Sequence, residues 1–422
     1  MAKSDMVTRI ANLKSHILGG RSMLSYQSSL ITRRRLLGGV CAASTLLAPR
    51  SIVAAREQDL VKIGLIQSMT GPFNTIGRAV VDGAGLYVRQ HGDTVAGRKI
   101  QLIVKDDATS PEVAKRLAQE MIVNDKVAIL GVGVTPSALT IAPLVTEAKI
   151  PTIVMVSAAS IAVDRSPYMV RTSFTVGQSA LVIADWAVRN RAKKIVTIVN
   201  DWAPGLEAEG AFKDRIAKGG AQILASLRVP LASPDFSPFL QRARDLGPDT
   251  LFAVFPGSQA RVFAKQFLER GMDKSGIRLI GADDLTDDDE LPGMTDAVLG
   301  IVTASHYSAL HDSAINKTYV KEFEAVYEKR PNFISLGGYD GMHLIYEALK
   351  TTGGKIDGDA MLAAMKGMKW ESPRGPMSID PETRDVVHSE YIRKVERVNG
   401  QLYNVEFATV EAVKDPARGA KK

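Results

Sequence analysis

From residue 61 onward, short runs rich in Val, Ile and Leu alternate with longer segments whose apolar residues recur at helical spacing. Residues 61–66, 100–104, 127–130 and 152–156 read as strands, and 80, 84, 87 and 88 share one face of the helix after the first. Strand–helix alternation favours a parallel sheet with helices on both faces. After a strand-like stretch at 168–174 the pattern begins again, with strands expected at 195–199, 223–229, 251–255 and 278–280. Two successive halves of this kind predict an α/β protein of two doubly wound, Rossmann-like lobes joined by a multi-strand hinge, with a cleft between them. The expected boundaries are 56–175 plus about 305–352 for the first lobe, and 176–304 plus about 353–422 for the second. Residues 298–304 are expected to carry the chain back to the first lobe, where helices should follow at 314–328 and 339–351. An Asn399-Gly400 turn sits within an alternating tail.

Within the first half, Gly131 to Ser137 (GVGVTPS) leaves a strand end and enters a helix start. Open α/β sheets place ligands at such points, because free N–H groups at the helix N-terminus face the crevice. Thr135 and Ser137 are therefore candidate contacts for a small molecule, with helix capping as their alternative role. Further upstream, Ser110 followed by Pro111 is the expected order of a helix N-terminus.

The net charge of +7 is local. Residues 1–55 hold eight Lys or Arg and one acid; removing these from the totals of 53 and 46 leaves 45 of each sign. The remainder is neutral, so its charge gives no reason to expect nucleic acid. Arg33, Arg34 and Arg35 precede Leu36 and Leu37, a short apolar run, and Val53-Ala54-Ala55. These are the parts of an export signal, similar to the twin-arginine type, with cleavage expected after Ala55 and a periplasmic destination. A general secretory signal is the alternative, and Met23 is an alternative start. Cys41, the single cysteine, lies inside this leader behind Val40, which disfavours lipid attachment. The exported chain would then have no thiol for a disulfide, a nucleophile or a metal.

Motifs for catalysis are missing: no GxSxG, HExxH or GxxxxGK[ST] occurs. Gly131 and Gly133 begin a dinucleotide fingerprint, but Pro136 stands in the third glycine's place. His306 and His311 lack a third convergent ligand for zinc, and residues 287–290 lack the spacing of a calcium loop. Neither a metal nor a cofactor is expected.

The ordered set 61–77, Asp106-Asp107 with its helix, 131–142, 150–160, 236–271 and Gly337 to Asp340 resembles the leucine/isoleucine/valine-binding proteins of bacterial ABC importers. The resemblance covers essentially the whole exported chain and implies a non-enzymatic, monomeric solute-binding protein that closes two lobes on a ligand and meets a membrane permease. In amino-acid-binding members, first-lobe hydroxyls and N–H groups hold the carboxylate; the matching positions are Thr135, Ser137, Ala158 and Ser160. A second-lobe acid holds the ammonium, and Asp283 matches it. Ile76 stands where several relatives carry a tyrosine or polar residue, Pro204 precedes Gly205 where Tyr-Gly is frequent with Trp202 the nearest aromatic, and Phe255 lies at a position often lined by an aromatic; together they make the pocket wall more apolar. A branched-chain or related amino acid is the expected ligand, and an aromatic or phenylpropanoid carboxylic acid the alternative, since residues 304–312 resemble the branch that binds aromatic acids. A ligand-sensing domain and a secreted two-lobed enzyme are the rival readings.

Overall fold

A computed structural model describes residues 60–231 and 235–419; the leader at 1–55 and its expected cleavage point lie outside them. The first sheet has six strands: β1 (Leu60–Gln67), β2 (Thr94–Val95), β3 (Arg98–Asp106), β4 (Ile129–Val132), β5 (Thr152–Val154) and β6 (Met169–Arg171), in the order β2-β3-β1-β4-β5-β6. All its pairings are parallel except β2 with β3. Helix α1 (Asn74–His91) follows β1, α2 (Pro111–Glu120) follows β3, and α3 (Thr135–Glu147) joins β4 to β5. The Ser110 side chain caps α2 by accepting from Val113 N, with Pro111 in the first turn.

The chain then crosses at 172–175 into α4 (Val176–Arg189), β7 (Lys194–Asn200), α5 (Ala203–Lys218), β8 (Gln222–Val229), α6 (Ser237–Asp245), β9 (Thr250–Val254), α7 (Gln259–Glu269), β10 (Arg278–Ala282) and β11 (Val302–Ser305). It returns to the first lobe for α8 (Ala314–Tyr327), α9 (Phe333–Thr351) and α10 (Gly358–Met365), and crosses again to β12 (Lys369–Ser372), β13 (Gly375–Ile379), β14 (Val386–Val398) and β15 (Gln401–Val413). The second sheet runs β12-β13-β14-β11-β10-β9-β7-β8, with β15 on β14. Three crossings therefore join the lobes.

The role of one stretch and one boundary differ from the sequence reading. Residues 298–304 do not carry the chain back: β11 lies between β10 and β14 in the second sheet, and the return comes after Ser305. The first lobe also extends past 352, because Met361, Leu362 and Met365 on α10 are buried in its core beside Leu349 and Tyr346.

Helix α9 begins at Phe333 rather than at 339. Asn332 caps it by accepting from Ser335 N, and Ser335 returns the bond. Its Gly337-Gly338 pair allows close packing. A β-carbon at Gly338 would stand 2.0 Å from the Val80 carbonyl oxygen of α1, and one at Gly337 would stand 1.8 Å from that of Met155. The turn at Asn399-Gly400 links β14 to β15 with φ of 50° and 83°, the geometry of a two-residue hairpin. A last short helix, α11 (Pro416–Gly419), sends Arg418 to Ser160 O and Asp164 of the first lobe as well as to Asp385. No helix among the described residues is long and apolar enough to cross a membrane.

Candidate functional site

A cavity opens where the two sheets' C-terminal strand ends face each other, the position predicted for a ligand in open α/β sheets. The first lobe lines it with Ile76, Val134, Thr135, Val156, Ser157 and Ala158, and Ile334 lies beside them at the start of α9. Phe174 and Val176 enter at the first crossing, while Trp202, Pro204, Gly205, Val254, Pro256 and Asp284 come from the second lobe. It leaves about 40 Å³ for the centre of a water molecule, room for about three waters at roughly 10–15 Å³ each. At its mouth Phe73 and Trp202 stack across the lobes, centroids 5.6 Å apart and rings 25° from parallel. A larger hollow of ≈ 430 Å³ lies beside α7, but only second-lobe residues line it.

Two helix N-termini converge on this slot. Val134 precedes α3 and Trp202 precedes α5, and neither helix has a side-chain cap. Their first N–H groups thus lack both intrahelical and capping partners, and both ends carry partial positive charge. Pro136 and Pro204 occupy the first turns, where a missing N–H costs little. Gly205 lets α5 start close to its strand: a β-carbon there would come within 2.3 Å of Asn200 O. The Thr135 and Ser157 hydroxyls are 2.8 Å apart on the first-lobe side. Asp284 stands on the second-lobe side, and burial, followed by the nearby Asp283 charge, pushes its pKa well above the usual carboxylate range. The slot is apolar in its walls, attractive to an anion at the helix ends, and faced by one carboxyl whose pKa burial raises.

Of the residues expected at the site, Ile76, Thr135, Ala158 and Trp202 line this cavity. The other four lie elsewhere. Phe255 is fully buried in the second-lobe core against Phe236 and Phe263; its chain neighbours Val254 and Pro256 face the slot. Asp283 is also fully buried and turned toward His306, with Nδ1–Oδ1 3.6 Å, so Asp284 faces the slot in its place. Ser137 donates to Asp107 Oδ2 at 2.6 Å. Asp107 also accepts from Ser68 Oγ at 2.7 Å and Thr109 N at 2.9 Å, which makes it the brace of the site's floor. Ser160 meets Glu207 of α5, its N–H donating at 3.0 and 3.1 Å with a further bond from its hydroxyl. That contact ties one lobe to the other.

Phe174, Val176, Pro256 and Ile334 were missed. Nothing local marks Ile334, which reaches the slot only because α9 is longer than its periodicity suggests. The alternation around 251–256 does carry the signal for Pro256, read one residue out of phase.

Two lobes, three crossings and a cavity between paired helix ends define a clamp for a small solute. The chain belongs to the periplasmic binding protein family, which it matches over residues 60–401. It is a solute-binding protein of an ABC transporter, a family that captures small molecules for a membrane permease and is not enzymatic. It is 38% identical to the "Leu/Ile/Val-binding protein homolog 6" of Brucella suis over 386 residues, 90% of this chain and 99% of that one. A solute-binding protein of an ABC transporter from Rhodopseudomonas palustris BisB5, solved in complex with 3,4-dihydroxybenzoic acid, is similar at 56% identity and a TM-score of 0.84. The match covers 85% of this chain and 99% of that one. A counterpart from R. palustris HaA2 in complex with p-hydroxybenzoic acid aligns at 39% identity and a TM-score of 0.83, covering 86% and 100%.

Proposed function

We propose that the exported protein carries a monocyclic hydroxylated aromatic acid of the hydroxybenzoate class. The observation that carries this reading is the placement of one carboxyl, Asp284, in an otherwise apolar slot whose other lobe presents the Thr135 and Ser157 hydroxyls; burial raises the Asp284 pKa, which favours its protonated form. An amino acid's buried ammonium needs an ionised partner, whereas a protonated carboxyl exchanges hydrogen bonds readily with a phenolic hydroxyl. The ligand carboxylate would lie at the α3 and α5 N-termini with Thr135 and Ser157, and its ring between Phe174 and Trp202. The hydroxybenzoate complexes of the R. palustris relatives support the same reading. A branched-chain amino acid is the second reading, favoured by the name of the Brucella relatives and by the presence of an acid on the second-lobe wall. The leader at 1–55 supports delivery to the periplasm by the twin-arginine route, with capture as a monomer.

The test is a melting series on residues 56–422, unfolded and refolded to remove carried ligand. At about 100 times its dissociation constant a ligand stabilises by roughly 2.7 kcal/mol. 4-Hydroxybenzoate and 3,4-dihydroxybenzoate should raise the melting temperature and leucine should not. Asp284→Ala should weaken 4-hydroxybenzoate much more than benzoate. A larger shift with leucine, isoleucine or valine would overturn the assignment in favour of the second reading.

A further inference from the structure

A group of buried polar side chains that the ligand cavity does not use lies at the hinge. His306 follows β11, where the chain turns back to the first lobe, and Asp283 follows β10. His388 and Glu390 are two residues apart on β14, which places both on one face. Because β10, β11 and β14 are adjacent in the sheet, they bring these four residues together. We propose that His306, His388 and Glu390, joined by Asp283, form a divalent-metal site suited to zinc.

Geometry is the first support. One donor atom from each of His306, His388 and Glu390 lies within 4.8 Å of the other two. The His306 Nδ1–Asp283 Oδ1 and His388 Nε2–Glu390 Oε1 separations are both 3.6 Å. That is long for a hydrogen bond. It is close to the roughly 3.4 Å between neighbouring ligands of a tetrahedral ion with 2.0–2.2 Å bonds.

Unsatisfied donors and acceptors are the second support. Both carboxylate oxygens of Asp283 and of Glu390, both ring nitrogens of His306, and His388 Nε2 make no hydrogen bond of ordinary geometry among the described residues; the Ser179 and Ser305 hydroxyls lie near the two acids and the Phe333 backbone near His306. All four side chains are buried, none more than 1% exposed. Native interiors seldom leave so many polar atoms unmatched in one place.

Charge is the third. Arg374 is paired with Asp340 at 2.9 Å, and Arg393 lies 3.8 Å from Asp288, so each nearby guanidinium has an acid of its own. Asp283 and Glu390 have no ion pair with Lys or Arg among the described residues, and a dication would balance them when both are ionised. Two imidazoles with carboxylate oxygens are a ligand set that zinc accepts. Arg374 Nη1 also lies 3.4 Å from His388 Nδ1. Because a guanidinium only donates, that contact needs Nδ1 as the acceptor; ligation through Nε2 would move the imidazole proton to Nδ1 and give the contact up, leaving Arg374 its bonds to Ser173 O and Thr172 O.

The His306 ring stacks on Phe174, centroids 5.0 Å apart, and Phe174 is a wall of the ligand slot. An ion here would tie the second crossing to β14 and fix the ring behind that wall. His311, the histidine nearest to His306 in sequence, lies elsewhere, its Nδ1 2.9 Å from Glu406. His388 and Glu390, which do converge on His306, follow it by more than 80 positions, a distance over which no spacing motif is visible.

The test uses residues 56–422 refolded in chelator, desalted, and then given Zn²⁺ or Co²⁺. The wild type should retain close to one zinc per chain through gel filtration, melt higher with zinc than with chelator, and show the visible bands of tetrahedral cobalt. His306→Gln and Glu390→Gln should each weaken zinc binding at least tenfold, with the chelator-treated variants checked for folding by circular dichroism. Less than about one zinc per ten wild-type chains, with no cobalt bands, would overturn the site. So would variants that bind zinc as tightly as the wild type, since the metal would then sit on surface histidines.

Discussion

Asp107→Ala should unbrace the floor of the ligand slot, at a cost that follows from the structure. The carboxylate is fully buried and accepts from Ser68 Oγ, Ser137 Oγ and Thr109 N at 2.7, 2.6 and 2.9 Å. These donors belong to the loop after β1, the first turn of α3, and the loop before α2. Hydrogen bonds to a charged group contribute about 1.5–3 kcal/mol each. The two hydroxyls can rotate in search of other acceptors, so the low end of that range applies, and the expected loss is about 4–5 kcal/mol. Total stability is only about 5–15 kcal/mol. Urea unfolding followed by far-UV circular dichroism measures the loss directly. Asp107→Asn, which keeps one carbonyl oxygen, should lose roughly half as much. Ser137→Ala should lose about 1.5 kcal/mol while changing ligand affinity by less than about threefold. A loss below about 1 kcal/mol for Asp107→Ala would refute the brace, and a tenfold loss of affinity in Ser137→Ala would restore Ser137 as a ligand contact.

Two further outcomes are expected. Trp202→Ala removes the stack with Phe73 and part of the slot wall; an aromatic pair contributes about 0.5–1.5 kcal/mol beyond burial, so titration should show roughly 2- to 13-fold weaker ligand binding, and unchanged affinity would place the ring outside the closed site. Burial pushes Asp288 up to about 6, against about 3.9 in an unfolded chain. Its neutral form thus favours the fold below the unfolded value, and that contribution fades as pH rises through 6. His306 and His388, kept neutral by burial, act in the opposite sense, so a difference between proteins is the clean measure. The melting temperature of Asp288→Asn minus that of the wild type, both in chelator, should be more positive at pH 7.5 than at pH 4.5, by about 2 kcal/mol in stability terms. A difference that does not change with pH would sink the argument.

Much of the architecture could be read from local patterns, because a parallel strand buried on both faces declares itself as an apolar run and Ser110-Pro111 and Asn399-Gly400 act within a few residues. What failed had two physical causes. One was parity: successive strand residues face opposite sides, so a one-residue error exchanges wall for core. It put Phe255 in the slot instead of Val254 and Pro256, and Asp283 instead of Asp284. The other was distance along the chain. Gly337-Gly338 looks like a break until Met155 is seen to need Gly337, and α1 to need Gly338, without a β-carbon, and Glu207, which meets Ser160, stands 47 residues away. The stretch from Gly131 to Ser137 did point to the right crevice, but only the surrounding loops show that Ser137 braces it while Thr135 faces inward.

The contacts of Arg418 have a practical consequence. Its backbone follows the second-lobe hairpin, yet its guanidinium is fastened to the Ser160 carbonyl and Asp164 across the divide. Whatever parts the lobes must stretch or release that fastening. A fluorophore attached near the α11 segment would therefore change surroundings with each capture event, giving a reporter for the solute. A bulky fusion at the same place would pull against closure, so an affinity handle is better carried at the opposite terminus of the exported chain.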